Sequence, residues 1–399
     1  MKRLVILGAG YGGLTLAQKL DSLSKGHNNW KVTLVDHRDY HLIQVRIHEV
    51  AANSVPASQI KIPLSQLLNG HKVESIQAKV LKIDPVGRTV ETTSGTINYD
   101  RLVIALGSVT DFHNIPGLQE HAFAMKTLED AISYRKAVIE AFRNATATGA
   151  EPLRKNDPRL TFAIIGGGLT GTELAGEMVD FCNDLCKKVP AARHAYRIVL
   201  AELAPRLLPE LEPESGEYAM NDLRRKNVAI LTNSGIDQVV PGSVHLMNGK
   251  TIKSNVICWA GGIKAQPLIK ESGFNTTRDG RVEVNHYLRS KQFESVYVIG
   301  DSAFIHDGRN GKPVPQTGQY AELQAGYLAK CFANEQPDVK PEPYVPFSMG
   351  ISISLGRGEA LSLSGPLKLT GIPGRVVKDL SYTKHELGVR NVLPEVRLG

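Results

Sequence analysis

Two glycine-rich segments carry the strongest chemical signal in this sequence of 399 residues. The segment 8–13 reads G-A-G-Y-G-G and is followed downstream by Asp36, and the segment 166–171 reads G-G-G-L-T-G and is followed by Glu202. In such loops the glycines permit a tight turn and let the backbone approach a pyrophosphate, while the acid accepts hydrogen bonds from a ribose diol. Each segment therefore predicts a site for a dinucleotide.

The elements around the two segments repeat the same order. Short apolar runs at 3–7 and 31–35 are typical of strands buried on both faces of a parallel sheet, and a helix is predicted over 14–20 between them. The second copy has runs at 160–165 and 197–201 and a helix over 172–181. This order puts the phosphates at a helix N-terminus. Glycine loops that merely turn the chain could explain one copy, but they hardly explain both copies with their acids.

Two dinucleotide sites in one chain imply two dinucleotides. The economical chemistry for such a pair is hydride transfer from a nicotinamide to a flavin. Because an acid at the ribose repels a 2′-phosphate, Glu202 favours NADH over NADPH in the second site.

The composition of the chain limits the classes of partner that it is expected to bind. The net charge of +7 would draw the protein weakly toward anionic surfaces, and with no nucleic-acid motif in the sequence a lipid surface is the better interpretation. A solvated excess of lysine and arginine explains the charge as well. No apolar stretch approaches the length of a transmembrane helix. The four cysteines predict a reduced, cytoplasm-facing protein, with Cys182 and Cys186 as packing residues on a helix.

With the two glycine loops, three further segments (99–108, 256–262 and 296–303) resemble the FAD/NAD(P) pyridine-nucleotide oxidoreductases over nearly the whole chain. The resemblance implies an α/β fold with two Rossmann-like dinucleotide-binding domains of the glutathione-reductase type and a C-terminal membrane-associating segment. The implied boundaries are 1–125 and 268–330 for a discontinuous FAD domain, 126–267 for the NADH domain and 331–399 for the C-terminal region.

The resemblance also implies which residues bind each cofactor. Asp301 would hydrogen-bond the ribityl chain of FAD, although an aspartate after a strand can also be a helix cap. The FAD-binding residues implied are Gly8, Gly10, Gly12, Gly13, Asp36, Val80, Gly107, Gly300 and Asp301. The NADH-binding residues implied are Gly166, Gly168, Gly171, Glu202, Gly261 and Gly262.

Within this family the chain is most similar to the type II NADH dehydrogenases and the small apoptosis-inducing-factor-like quinone reductases. The stretch 166–177 matches their second glycine loop, which implies a catalytic role for Glu173, with Lys378 as its partner and Gln319 at the quinone pocket. Leu323 replaces a second glutamine of that pocket, and 45–47 departs from the usual P-x-L pattern. The resemblance therefore leaves open which molecule accepts the electrons from the flavin. The stretch 41–50 lacks a cysteine pair, which disfavours disulfide reduction.

The function implied is that of a non-proton-pumping, FAD-dependent NADH:quinone oxidoreductase. Glu173 would relay protons to the quinone, or would only complement a helix dipole. Two alternatives stay open: an NADH-dependent reductase of a rubredoxin- or ferredoxin-like protein, and an NADH-sensing flavoprotein. A homodimer is compatible with the sequence.

A quinone dissolved in lipid requires access from a membrane, and the region 366–399 is the best candidate for peripheral attachment. It mixes apolar and basic side chains, although an amphipathic docking helix would look similar. The apolar residues are Leu367, Leu369, Ile372, Val376, Val377 and Leu380, and the basic ones are Lys368, Arg375, Lys378, Lys384, Arg390 and Arg397.

Overall fold

The computed structural model describes residues 1–24, 29–309, 311–335 and 341–390. Within these ranges the helices are α1 (Tyr11–Leu23), α2 (Ile47–Ala51), α3 (Ala57–Ile60), α4 (Leu64–Leu67), α5 (Leu118–His121), α6 (Leu128–Ala145), α7 (Leu169–Lys188), α8 (Pro213–Arg225), α9 (Pro267–Glu271), α10 (Gly318–Ala333) and α11 (Gly371–Val389). Single 3-10 turns lie at Gln44–Arg46, Pro158–Leu160, Pro190–His194 and Gly300–Ser302.

The strands of the described ranges are mostly short. They are β1 (Lys2–Leu7), β2 (Trp30–Asp36), β3 (Tyr40–Leu42), β4 (Lys61–Pro63), β5 (Val73–Gln77), β6 (Val80–Asp84), β7 (Thr89–Thr92), β8 (Gly95–Asn98), β9 (Arg101–Ile104), β10 (Ser108–Thr110), β11 (Phe123–Ala124), β12 (Thr161–Ile165), β13 (Arg197–Ala201), β14 (Ala229–Leu231), β15 (Ile236–Val240), β16 (Ser243–Leu246), β17 (Thr251–Lys253), β18 (Val256–Trp259), β19 (Ile263–Ala265), β20 (Val282–Glu283), β21 (Val296–Val298), β22 (Ala303–Phe304), β23 (Ile351–Ser354), β24 (Ala360–Ser364) and β25 (Leu367–Thr370).

The first parallel sheet has the strand order β21-β9-β1-β2-β5. Its central strand is β1, in which Leu4 pairs with Val32 on one side and with Arg101 on the other. The apolar run predicted at 3–7 is therefore buried between two neighbours, as its lack of alternation indicated. Helix α1 begins at Tyr11, earlier than predicted, because the carbonyl of Gly10 accepts a hydrogen bond from the amide of Leu14.

The second parallel sheet repeats this arrangement with the order β11-β18-β12-β13-β14. Here Ala163 of the central strand pairs with Val199 and Ile257. The predicted α/β fold with two Rossmann-like halves is confirmed. Strand β21 returns to the first sheet after the second is complete, and β10 and β19 of the two crossings pair with each other. This connectivity fits a discontinuous first domain, whose boundaries stay a prediction.

The C-terminal region adds the antiparallel sheet β23-β24-β25, and α11 packs across it. Among the described residues, no helix combines the length and the apolar character needed to cross a membrane. Arg397, predicted to belong to the basic surface, lies outside the described residues.

The cysteines behave as packing residues. Cys182 and Cys186 both lie on α7 and are buried, and all four cysteines are unpaired by disulfides. Burial raises the pKa of the Cys182 thiol well above its usual range, which disfavours the reactive thiolate. These observations support the prediction that the pair has a packing role.

Candidate active site

A single large cleft runs between the two halves of the molecule and the C-terminal region. Its volume is about 3440 Å³, several times that of a usual ligand pocket of roughly 300–1,000 Å³. The walls come from the first glycine loop, the start of α7, α10 and α11. The cleft therefore has room for more than one ligand of nucleotide size.

The first glycine loop is shaped by contacts that exclude side chains. Gly8 has a φ of +101°, and a Cβ atom there would meet the carbonyl oxygen of Ala105. A Cβ atom at Gly13 would meet the carbonyl oxygen of Gly8, so α1 can approach β1 only with glycine at this position. Gly10, by contrast, faces open space at the wall of the cleft. The loop thus leaves exposed backbone beside the N-terminus of a helix, as pyrophosphate binding requires.

Asp36 fixes the first loop from the end of β2. One carboxylate oxygen accepts a hydrogen bond from the amide of Ala9 at 2.7 Å, and the other accepts one from the amide of Arg38 at 2.9 Å. Burial alone would raise the pKa of Asp36, but the hydrogen bond from His37, the charge of Arg38 and these amide contacts lower it. The carboxylate is therefore ionised beside the loop and lines the cleft.

The second loop repeats this geometry. Gly166 has a φ of +106° against the backbone of Ala260, and a Cβ atom at Gly171 would meet the carbonyl oxygen of Gly166. Glu202 accepts hydrogen bonds from the amides of Gly167 at 2.5 Å and Ala204 at 2.7 Å. Both predicted acids thus hold their own glycine loops. Gly168 has no closer neighbour than a carboxylate oxygen of Glu210, at 3.8 Å from an added Cβ atom.

The remaining residues predicted to bind the first cofactor face the same cleft. Its walls include Gly12, Val80, Gly107, Gly300 and Asp301. Asp301 Oδ2 accepts a hydrogen bond from Ser108 Oγ at 2.5 Å and lies 3.5 Å from the Nζ atom of Lys126. Sequence reasoning missed Lys126, because it lies between β11 and α6 in a stretch without a glycine motif.

Gly261 and Gly262, whose binding to NADH stays a prediction, are enclosed by side chains rather than by backbone, and like Gly166, Gly168, Gly171 and Glu202 they are not among the residues that line the cleft. A Cβ atom at Gly261 would meet the indole ring of Trp259, and one at Gly262 would lie 2.5 Å from Nε2 of His113. Packing within the protein therefore explains both glycines without a ligand. Neither residue lines the cleft, whereas the next residue, Ile263, does.

Glu173 and Lys378 form a buried ion pair at the wall of the cleft. Glu173 lies on the first turns of α7, and Lys378 comes from α11 with its Nζ atom 2.5 Å from Glu173 Oε1. The same carboxylate oxygen accepts a hydrogen bond from the backbone amide of Ser354. Lys378 also donates a hydrogen bond to the backbone carbonyl of Ser352, at 2.9 Å. The structure brings together two residues that are 205 positions apart in the sequence.

His48 joins this ion pair from α2. Its Nδ1 atom lies 3.5 Å from Glu173 Oε2, and its Nε2 atom is buried with no hydrogen-bond partner. Sequence reasoning considered the stretch around His48 for its lack of cysteines and for the altered pattern at 45–47, and it did not single out His48. No local motif could have revealed the residue, because only the packing of α2 on α7 brings it to Glu173.

A second buried charge cluster lies behind the ion pair. Arg375 reaches Glu49 and Glu177 at 3.3 Å each, and Arg46 reaches Glu49 at 2.6 Å. Although His48, Glu49 and Glu177 lie close enough to hold a metal ion, both carboxylates are already neutralised by arginines. The cluster is therefore an ion-pair network that ties α2, α7 and α11 together.

Gln319 lies at the start of α10 and lines the cleft. Its side chain donates to the carbonyl of Gly350 at 3.2 Å and accepts from the amide of Met349 at 3.1 Å. Leu323, which stands where many relatives have a second glutamine, also lines the cleft. This end of the cleft is consequently less polar than the resemblance alone implies.

The chain matches known proteins over most of its length. A family model described as pyridine nucleotide-disulphide oxidoreductase matches residues 2–325. The type II NADH:quinone oxidoreductase of Staphylococcus saprophyticus is 31% identical over 337 residues, which cover 84% of this chain and 82% of that protein. The protein of the same name from Staphylococcus haemolyticus is 29% identical over 387 residues, covering 96% of this chain and 94% of its own.

Solved structures show the same fold. NDH2 from Plasmodium falciparum, solved in complex with NADH, superposes with a TM-score of 0.88 at 19% identity and covers 97% of this chain and 96% of its own. The sulfide:quinone oxidoreductase of Aquifex aeolicus gives a TM-score of 0.81 at 22% identity, covering 98% of this chain and 92% of its own. At these identities the likeness concerns the fold alone.

Proposed function

Because the chain belongs to the pyridine nucleotide-disulphide oxidoreductase family, and within it to the type II NADH:quinone oxidoreductases, we propose that it oxidises NADH and passes the electrons through FAD to a quinone. The observation that carries this proposal is the presence of two glycine loops, each held by its own acid, of which the first lines the cleft and the second reaches it through Leu169 and Thr170. The similarity to the type II NADH:quinone oxidoreductases of Staphylococcus supports a quinone as the electron acceptor.

FAD fits the first loop. Gly10 leaves free the space that a pyrophosphate needs, Asp36 lies where it would meet a ribose, and Asp301 faces the cleft further along. When bound, FAD supplies the capacity to take two electrons as a hydride and to pass them on. The protein residues contribute position and charge: Lys126 and Ser108 hold the Asp301 carboxylate in place.

NADH fits the second loop, with the ribose at Glu202. The carboxylate already accepts two amide hydrogen bonds, which hold it at the end of β13. Its negative charge would repel the 2′-phosphate of NADPH. At the other end of this site, Leu169, Thr170 and Glu173 line the cleft toward the first loop.

We expect Glu202→Ala to raise the KM for NADH by about 10-fold, because removing one ribose hydrogen-bond acceptor and loosening the loop costs roughly 1–2 kcal/mol. The KM for NADPH should rise less or fall, since the repulsion is also removed. Steady-state kinetics with both nucleotides measure this. Glu214→Ala, an exposed acid on α8, is the control. An unchanged KM for NADH would remove Glu202 from the ribose site.

The acceptor side needs protons as well as electrons. Reduction of a quinone consumes two electrons and two protons, and the Glu173–Lys378 pair lies where the cleft meets the second loop. Glu173 is therefore the proposed proton relay, and Lys378 holds its charge in place.

Steady-state assays with several acceptors test the proposed function. We expect NADH-dependent reduction of ubiquinone- or menaquinone-type acceptors and of ferricyanide. An enzyme that reduces a rubredoxin- or ferredoxin-like protein far faster than any quinone would contradict the quinone assignment. Very slow turnover with every acceptor would point to a sensor instead.

We propose further that the outer face of the C-terminal region attaches to a membrane surface. Ile372, Val376 and Leu380 are 70%, 51% and 61% exposed and recur every four residues along one face of α11. Leu367 on β25 and Phe347 in the loop before β23 are also exposed, at 54% and 55%, and both line the cleft. We call the three α11 residues, Ile372, Val376 and Leu380, the apolar outer face. Such a face beside lysines suits peripheral binding to anionic headgroups.

Two of the basic residues expected at this surface do not belong to it. Arg375 and Lys378 point inward, to Glu177 and Glu173, because buried carboxylates need a cation beside them. Lys368 and Lys384 are exposed and remain available to headgroups, as does Arg390 at the end of α11.

Vesicle sedimentation tests the membrane proposal. With vesicles containing anionic lipid, we expect the protein to bind, and Ile372→Ser with Leu380→Ser to weaken binding at least 10-fold. Each exposed apolar side chain that enters the interface contributes up to about 1.5–3 kcal/mol. Val86→Ser removes an even more exposed valine, 82% exposed, from the turn between β6 and β7 and is the control. Equal binding by the double variant would exclude this face.

A further inference from the structure

The inward face of α11 carries two polar sites along the cleft. Lys378, Tyr382 and His385 follow one another at spacings of four and three residues, and all three line the cleft. Each end of this row meets an acid from another helix: Glu173 of α7 contacts Lys378, and Glu322 of α10 contacts His385. With a rise of 1.5 Å per residue, Lys378 and His385 are about 10 Å apart along the axis.

The hydrogen bonds around His41 fix the direction of donation. His41 Nδ1 lies 3.0 Å from the carbonyl oxygen of Ala9, which only accepts, so this nitrogen carries the hydrogen. Burial, and then the neighbouring His385, lower the pKa of His41 to about 3, and the ring is therefore neutral. His41 Nε2 is consequently an acceptor, and His385 Nε2, at 3.2 Å, must donate to it.

This direction leaves one proton between His385 and Glu322. His385 Nδ1 lies 2.6 Å from Glu322 Oε1. Since Nε2 already carries a hydrogen, a neutral His385 would present a lone pair to a carboxylate at this distance, which is repulsive. The contact therefore holds an additional proton, either as an imidazolium beside a carboxylate or as a neutral ring beside a carboxylic acid.

Aromatic and charged groups surround this proton. The ring of Tyr11 stacks on that of His385, with 4.5 Å between the ring centroids. Arg46, whose charge acts on Tyr11, forms ion pairs with Glu49 and Glu386. The side chain of His385 is 10% exposed and that of Glu322 is 29% exposed. Both side chains line the cleft, and Glu322 is the more exposed of the two.

We propose that the His385–Glu322 pair supplies the solvent-derived proton to the quinone, from the opposite end of the acceptor to Glu173 and Lys378. This inference rests on the proposed function. In the overall reaction, NADH, one proton and the quinone give NAD⁺ and the quinol. Two O–H bonds form, and the hydride accounts for two electrons and one of the two protons. The proton shared with His385 passes through the carboxyl group of Glu322 to one quinone oxygen, because both nitrogens of His385 are held by His41 and Glu322, and the pair regains a proton from water.

The spacing of the two sites suits such an acceptor. A quinone carries its two oxygens on opposite sides of the ring, and each needs a donor within about 2.5–3.0 Å. The backbone positions of Lys378 and His385, about 10 Å apart along α11, leave room for one such ring between the two polar sites. Tyr382, between Lys378 and His385, then lies beside the ring.

The test compares His385→Asn and Glu322→Gln with wild type and with His121→Asn, which removes an exposed histidine on α5. We expect kcat with quinone to fall about 100-fold in both variants, in the range of general acid catalysis, with KM for quinone changed less than threefold. Wild-type kcat should fall at alkaline pH, where the His385–Glu322 pair no longer holds its additional proton. The kcat of the two variants should not show this alkaline fall. Ferricyanide, which takes electrons without protons, should be reduced at wild-type rates by all four proteins.

Nitrogen NMR of histidine-labelled protein gives a measurement independent of turnover. At neutral pH, His385 should show hydrogen on both nitrogens or a shared proton with Glu322, and Glu322→Gln should abolish that signal even if His385→Asn fails to fold. If wild type reduces quinone and both variants keep its rate and pH profile, the inference is wrong while the proposed function stands. If wild type itself does not reduce quinone, the proposed function fails.

Discussion

Glu173→Gln is expected to slow quinone reduction by about 100-fold while leaving ferricyanide reduction within about twofold of wild type. The amide keeps the shape of the carboxylate and its contact with the Ser354 amide, but it cannot take up and release a proton. Because ferricyanide needs electrons only, the comparison separates proton delivery from NADH oxidation. Stopped-flow and steady-state rates with both acceptors measure the effect.

Glu177→Gln provides the control for Glu173. It lies one turn further along α7, is buried, and contacts Arg375, Ser54 and Ser354, but it does not line the cleft. We expect this variant to unfold at a lower temperature than wild type and to keep its quinone turnover below that temperature. Equal losses of quinone turnover in both variants, or none in Glu173→Gln, would show that Glu173 does not relay protons.

Arg375→Met is expected to reduce the free energy of unfolding by about 3–5 kcal/mol, the usual cost of removing one partner from a buried ion pair. The guanidinium bridges Glu49 and Glu177, whose side chains are 1% and 2% exposed. Without it, the charge of Glu177 has only hydroxyl donors left, from Ser54 and Ser354, apart from the neighbouring His48. Urea unfolding at neutral pH measures the loss.

The effect of Arg375→Met should shrink in acid. Burial alone would raise the pKa of Glu177, but His48, the two serine hydroxyls and Arg375 lower it below its usual value. A lowered folded-state pKa stabilises the protein above the unfolded-state pKa, and this stabilisation is lost as the pH falls through the folded-state value. The difference between variant and wild type should therefore be largest near neutral pH.

Arg357→Met is the matched control for the arginine. Arg357 pairs with Asp184 at the surface, where the two side chains are 57% and 36% exposed. Exposed pairs contribute about 0–1 kcal/mol, so this variant should unfold nearly as wild type does. A loss in Arg375→Met no larger than in Arg357→Met would mean that the buried carboxylates do not depend on Arg375.

The sequence predicted the parts of the fold that depend on local order. Gly8 and Gly166 begin tight turns directly after buried strands, and Asp36 and Glu202 end the next strands, so the residues of each loop are near one another in the chain. The steric reasons for glycine act over a few residues as well. The shared order of four strands, β9-β1-β2-β5 in one parallel sheet and β18-β12-β13-β14 in the other, follows from two copies of one local pattern, whereas the fifth strands, β21 and β11, come from different places in the chain.

The acceptor side could be predicted only in part, because it is assembled from distant segments. The resemblance pointed to Glu173 and Lys378, but nothing in the sequence connects His48 to them or His385 to Glu322. The orientation of α11 was also beyond the sequence. Basic residues on an amphipathic helix look alike whether they face headgroups or buried acids, and only the positions of Glu49, Glu173 and Glu177 decide which face turns inward.

Anaerobic titration of the purified protein with NADH tests most directly whether one chain holds both nucleotides in working contact. We predict a yellow protein with one FAD per chain, whose visible absorbance is lost on addition of one equivalent of NADH and returns on addition of quinone. A colourless protein that takes up no FAD on refolding would contradict the account, and so would a bound flavin whose colour NADH leaves unchanged.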